Sequence, residues 1–432
     1  MKIAIYSHSI APSIDGVCRR FTGILGELER QGHETLLFTL EDEPEDLPES
    51  TIVVVLEHMI FPAYPGKKVA KPTLRSFLRI YEAFKTHRPD VLHMTNDGFS
   101  HSFALAGILL NIPVVGSFHT DLQDLVKSHN GNLIQKAAIA AKEFVDSVVL
   151  DSCATTSKSF SLKLAKLHIQ CQHVIITAVD IKTFHPQRRS EAVRAKLTFG
   201  DAQGFLCVYV GRISREKRLD VIVAAVKKIP GAYLAIIGDG PSAPLYSAMH
   251  GKANRVYCIP EFLSHDELAQ IYASSDVHVS ASEFETLGNT VLEAYASGVP
   301  VVVPRTQGFC DTVRDGVDGF LFEPGSSDSC IGFLSRLKDE RGLRDLMGER
   351  GRAAVACKTV KHVVQDLLTW YQRGVGCKRE RGWLASVGLV LLTLMTIPMT
   401  MFTLVCYDLV VRVRVSVRVW AWVRVHLIVN SQ

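Results

Sequence analysis

The 432-residue chain has no Cys-x-x-Cys among its ten cysteines, and its nearest pair, Cys153 and Cys171, stands 18 positions apart. That spacing supplies neither a zinc site nor a disulfide framework. It points to reduced, mostly packed thiols and a reducing compartment. Asp-x-Asp is missing, so no obvious metal carries the charge of a phosphate substrate, and nothing in the sequence calls for a cofactor. Gly-x-Gly-x-x-Gly is missing too, which argues against a dinucleotide-binding dehydrogenase. The body of the chain lacks a basic excess. The formal net charge is +4, yet seven Lys/Arg against two acids after residue 377 leave −1 for the first 377 residues. A nucleic-acid partner is therefore not expected. The N-terminus opens directly on a strand, "MKIAIYS", with no visible signal or transit segment ahead of it.

What is present is ordered globular sequence, 47% hydrophobic and 21% charged. Short apolar runs alternate with amphipathic stretches. Strands are expected at 2–7, 34–39, 51–56, 90–94, 113–117 and near 173–176, with helices at 17–30, 73–87, 100–110 and 132–147. "GVCRRFTGILGELERQGHE" has apolar positions at helical spacing and then Gly32 as a stop. The second half repeats the alternation with "FLCVYVG", "AYLAIIG", "RVYCI", "DVHVS", "VPVVVP" and "GFLF" as strands. Continuous apolar strands between helices mean parallel sheets covered on both faces. The expected organisation is an α/β first domain over 1–185, a polar connection over 186–204 and a second α/β domain over 205–357. A closing amphipathic helix over 358–377, opening on "KTVKHVVQDLLTWY", ends the globular part.

Composition then changes. Gly382 to Tyr407 runs for 26 residues without a charge. About 20 apolar residues suffice to span a bilayer, and Pro398 does not forbid it. The plainer reading is a buried core helix. We expect a single membrane-spanning segment here. The Val/Arg alternation from 411 onward reads either as a two-faced strand or as a translated simple DNA repeat.

Three motifs share one chemistry. "YVGRISREKRLD" follows a strand and sets Arg212 and Lys217 where ligands sit in open α/β sheets. A cation pair there suits a diphosphate; taken alone, it is also what a solvated basic loop looks like. "IIGDGP" places Gly240 in a turn that lets backbone approach a ligand. "ETLGNTVLEA" puts Glu285 before a helix start, Gly288 at it and Glu293 inside the helix. Backbone N–H groups at Gly288 favour an anion. The two carboxylates would face the hydroxyls of the same ligand, Glu285 those of a sugar and Glu293 a ribose diol. Helix capping and a solvated face are the bland alternative.

"GRISREK", "IIGDGP", "SEFETLGNTVLEAYASGVPVV" and "DGVDGFLFEPG", with "PSIDGVCRRF", "PDVLHMTNDGFSHSFALAGILLNIPVVGSFHTD" and "AVDIKTFHP" ahead of them, resemble glycosyltransferase family 4 from about residue 1 to 372. The resemblance implies the GT-B fold, two Rossmann-like domains facing a cleft, and retaining sugar transfer from a nucleotide sugar. "IDGVCRRF", "SFHTD" and "ETLGNTVLEA" look closest to members that move sulfoquinovose from UDP to diacylglycerol. Related mannosyltransferases share much of the pattern. The implied partners are a UDP-sugar donor, a lipid acceptor and a membrane, at a plastid or the cytosolic face of an endomembrane. A GDP-mannose or UDP-glucose donor is the nearest alternative; a sugar-nucleotide epimerase or a non-catalytic nucleotide-sugar binder would be another class. By the resemblance, Gly16 lies in the loop approaching the diphosphate and His119 beside the donor sugar. Arg212 and Lys217 hold the diphosphate, Glu285 the sugar and Glu293 the ribose. Arg218 and Ala178 depart from it, standing where the family commonly has glycine.

Overall fold

The computed structural model describes residues 1–376, apart from 13–15, 61–67, 72, 96–100, 125–138, 141–142 and 144–146. The apolar stretch 382–407 and the Val/Arg tail lie outside the described residues, as does most of the helix expected at 132–147. Among the described residues no helix is long and apolar enough to cross a membrane.

The first domain carries strands β1 (Lys2–Tyr6), β2 (Glu34–Thr39) and β3 (Thr51–Val55). A small antiparallel hairpin comes next, β4 (His58–Ile60) and β5 (Lys68–Ala70). Then come β6 (Val91–Thr95), β7 (Val114–Phe118), β8 (Ser152–Thr155) and β9 (His173–Val174). The main sheet is parallel and ordered β3-β2-β1-β6-β7-β8-β9. The second domain holds β10 (Phe205–Val210), β11 (Ala232–Ile237), β12 (Val256–Ile259), β13 (Val277–Val279), β14 (Val301–Pro304) and β15 (Gly319–Phe322). Its parallel order is β12-β11-β10-β13-β14-β15. The central strands are buried along their length because helices cover both faces, which is why they read as unbroken apolar runs.

In each sheet the strand order reverses once, between β1 and β6 and between β10 and β13. Ligands of doubly wound sheets sit outside the carboxyl ends of the strands at such a switch point. The topology alone therefore points to the loops after β1, β10 and β13.

Residues 186–204, read from sequence as a polar connection, contain a 3-10 turn (Pro186–Arg188) and a helix (Glu191–Leu197) capped by the Ser190 side chain. Arg194 fixes that helix to the second domain through Asp276, 2.7 Å away. The last described helix, Val360–Gly376, crosses back to the first domain. There Val363, Val364, Leu367, Trp370 and Tyr371 join Ile3, Ile5, Phe21 and Leu25 in one buried cluster. Burial of each large side chain contributes about 1.5–3 kcal/mol, so this helix locks the ends of the two-domain unit together. Cys153 on β8 and Cys171 meet with sulfurs 2.8 Å apart, and both are free thiols.

Candidate active site

The loop after β10 is built by glycine contacts. A Cβ on Gly238 would stand 2.1 Å from the Gly211 carbonyl oxygen, and one on Gly240 would stand 2.5 Å from that of Ile213. Both residues have positive φ, 131° and 155°. The "IIGDGP" turn thus lies directly on the backbone of the 211–213 loop and shapes it. At Gly240, which the sequence assigned to a ligand approach, the structure shows a close approach to the Ile213 carbonyl. The 3-10 turn Arg215–Lys217 comes next and carries Lys217 to the mouth of the sheet. Arg218 closes the turn in the left-handed region, φ 48°, ψ 44°, which accounts for the glycine common at this place in the family. Its guanidinium reaches Glu283 at 2.7 Å and Asp220 at 3.1 Å.

Lys217 Nζ donates to Glu285 Oε2 at 3.0 Å and lies 3.4 Å from Ser282 Oγ. Two motifs far apart in the chain meet here, one after β10 and one after β13. Glu285 Oε1 accepts the Gly288 N–H at 3.3 Å, so the amide expected to meet an anion serves the glutamate. Gly288 caps the helix Asn289–Ala296 with φ 87°, and a Cβ there would press on the Phe309 ring at 2.9 Å. Inside that helix Glu293 is 6% exposed and accepts the Tyr272 hydroxyl at 3.1 Å. Arg212 sits just after β10, its carbonyl accepting the Tyr209 hydroxyl at 2.8 Å. Gly16 opens the helix Gly16–Arg30 of the first domain.

His119 lies just past β7 and faces the second domain. Its carbonyl accepts Thr286 Oγ1 at 3.0 Å, which ties the first domain to the loop that carries Glu285. Arg20 Nη1 lies 3.1 Å from His119 Nδ1. Arginine only donates, so Nδ1 is the acceptor and Nε2 bears the proton. Nε2 then donates to Ser117 Oγ at 2.7 Å, Ser117 donates to His93 Nε2 at 2.7 Å, and His93 Nδ1 donates to the Tyr371 hydroxyl at 2.6 Å. One arginine therefore fixes the tautomers of two buried histidines. Sequence reasoning had no means to find His93 or Ser117, since the chain of bonds joins β6, β7 and the closing helix.

Burial, then the charge of Arg20, lowers the pKa of His93 to about 3. Burial lowers that of His278 on β13 to about 4. Below the ordinary value of about 6.5 the unfolded chain takes up protons that these folded sites refuse. Stability is untouched above that value and falls as pH drops toward 4, by about 1.4 kcal/mol per pH unit for each group. Urea midpoints at pH 7, 6 and 5 should fall for the wild type and fall less steeply for His93→Gln. Parallel slopes would show that His93 is not held neutral.

The glycosyl transferases group 1 family matches residues 191–354, and glycosyltransferase family 4 matches residues 14–180. The sulfoquinovosyl transferase SQD2 of Arabidopsis thaliana is 31% identical over 347 residues, 78% of this chain and 67% of that protein. The chain belongs to glycosyltransferase family 4. The alpha-monoglucosyldiacylglycerol synthase of Streptococcus pneumoniae is 26% identical over 74% of this chain and 75% of its own. Among solved structures, Anabaena HepE in complex with UDP and glucose aligns with a TM-score of 0.67 at 19% identity, covering 86% of this chain and all of its own. That likeness shows the fold, the GT-B arrangement expected from sequence. In this family member the Lys217–Glu285 contact joins the loops that follow β10 and β13.

Proposed function

We propose that this glycosyltransferase moves sulfoquinovose from UDP-sulfoquinovose to diacylglycerol with retention of configuration. The observation that carries the reading is the Lys217–Glu285 contact at 3.0 Å. A cation suited to a diphosphate adjoins a carboxylate suited to hydroxyls, which is the order of groups in a nucleotide-diphosphate sugar. As the glycosidic bond breaks, charge grows on the departing diphosphate, and in this reading Lys217 and Arg212 receive it. Glu285 accepts hydrogen bonds from the sugar, and Glu293 serves the ribose. The acceptor hydroxyl attacks from the face that the diphosphate leaves. The sulfoquinovosyl and glucosyldiacylglycerol relatives support the choice of sugar and of lipid.

The test offers purified enzyme UDP-sulfoquinovose, UDP-glucose and GDP-mannose with diacylglycerol in mixed micelles. Products are read by mass spectrometry and their anomers by NMR. α-Sulfoquinovosyl diacylglycerol is expected. Transfer from GDP-mannose alone would overturn the sugar, and UDP binding without transfer would make the chain a binder. We also propose that 382–407 holds the enzyme at the membrane. A chain ending at Gly376 keeps its closing helix and should stay folded but leave vesicles that the full chain binds. Equal partition of the two would remove that role.

A further inference from the structure

Arg20 differs from three other partly buried cations. Lys217 has Glu285, Lys163 has Asp121 and Asp124, and Arg194 has Asp276. Arg20 donates to His119 Nδ1 and to Thr177 Oγ1, both neutral. Among the described residues no carboxylate pairs with it. The side chain is largely enclosed, and burial lowers its pKa to about 10, so it is charged at neutral pH. A charge withdrawn from water without a counter-ion is strongly unfavourable. Arg20 also stands in the opening turns of the helix Gly16–Arg30, where the helix dipole adds charge of the same sign. An anion from outside satisfies both.

Its position says which anion. Through His119, whose carbonyl meets Thr286, Arg20 adjoins the Glu285 loop from the side of the first domain. The diphosphate cations Arg212 and Lys217 come from the second domain, after β10. We infer that Arg20 binds an anionic group carried by the transferred sugar itself, a sulfonate or a carboxylate. The planar guanidinium fork fits either oxyanion. This inference rests on the donor-site reading above and names the cation that an acidic sugar requires.

The experiment compares wild type, Arg20→Met and Arg20→Lys with UDP-sulfoquinovose, UDP-glucuronate and UDP-glucose. Two readouts are taken, kcat/KM and the thermal shift that each donor produces. Arg20→Met should lower the ratio of kcat/KM for anionic over neutral sugar about 10- to 150-fold, the worth of one charge-assisted hydrogen bond. Arg20→Lys should lose less. Anionic donors should stabilise the wild type more than UDP-glucose does, and Arg20→Met should erase that excess. Without ligand, Arg20→Met should raise Tm, because it removes a charge that has no counter-ion among the described residues. Equal losses for neutral and anionic donors, weakened binding of UDP itself, or a lowered Tm would each overturn the assignment. The thermal arm needs no turnover, so failure of the transfer reading and failure of this one give different results.

Discussion

Lys217→Ala is expected to lower turnover about 100- to 1,000-fold, the usual loss when a preorganised donor to developing charge is removed. Its stability should change little. Lys217 and Glu285 are about a quarter exposed, 22% and 25%, and such pairs contribute about 0–1 kcal/mol. Tm should therefore move by no more than about 4 °C. The loss has two parts. One is the missing cation. The other is the Glu285 carboxylate, left next to a diphosphate without the charge that offset it. Glu285→Gln in the Lys217→Ala background should then cost less than Glu285→Gln alone. A double-mutant cycle on kcat/KM reads the coupling directly. Strict additivity would mean that the pair acts as two separate groups, and a large drop in Tm would mean that Lys217 is structural.

Lys217 and Glu285 stood out in the sequence because each closes a motif after a strand at a switch point, and the structure brings the two side chains to 3.0 Å. The sheets were legible for a related reason. Strands buried on both faces, such as "FLCVYV" and "AYLAII", read as apolar runs with little ambiguity. β8 was hidden because "SCAT" is short and half polar, whereas the two residues of β9 fall inside the strand expected near 173–176. The connection at 186–204 concealed a helix whose anchor, Asp276, lies in another part of the sequence. Arg20 sat in plain view in "IDGVCRRF", but the absence of a counter-ion among the described residues is a property of three-dimensional surroundings. At Gly240 the sequence offered a close backbone approach, and the structure adds that the Ile213 carbonyl lies against it.

Gly308 was missed, and its replacement tests how the Glu285 loop is held. A Cβ at Gly308 would stand 2.4 Å from the carbonyl carbon and oxygen of Thr286 and 2.5 Å from the Leu287 nitrogen. All three are backbone atoms, so no side-chain rotation relieves the clash. The strap 306–312 lies on this loop throughout. Gly308 N–H donates to the Glu285 carbonyl at 2.8 Å, and Thr312 Oγ1 donates to that of Leu287 at 2.8 Å. Thr306 Oγ1 reaches the Ser282 carbonyl at 3.3 Å. Gly308→Ala must push the 285–287 backbone away and carry the Glu285 carboxylate off Lys217. Overpacking of this kind costs about 1–3 kcal/mol. Displacement of a reacting group by about 1 Å costs on the order of 100-fold in rate, so turnover should fall by about that much even where the fold survives. Gly332, inside the helix Ser327–Asp339, has nothing within 4 Å of its Cβ position and supplies the control. Gly332→Ala should leave turnover intact and raise stability by up to about 1 kcal/mol. Turnover and Tm of the two variants decide the matter. If Gly308→Ala matches the wild type in both, the loop is not held by this strap, and the geometry of Glu285 must be set by its contacts with Lys217 and Gly288.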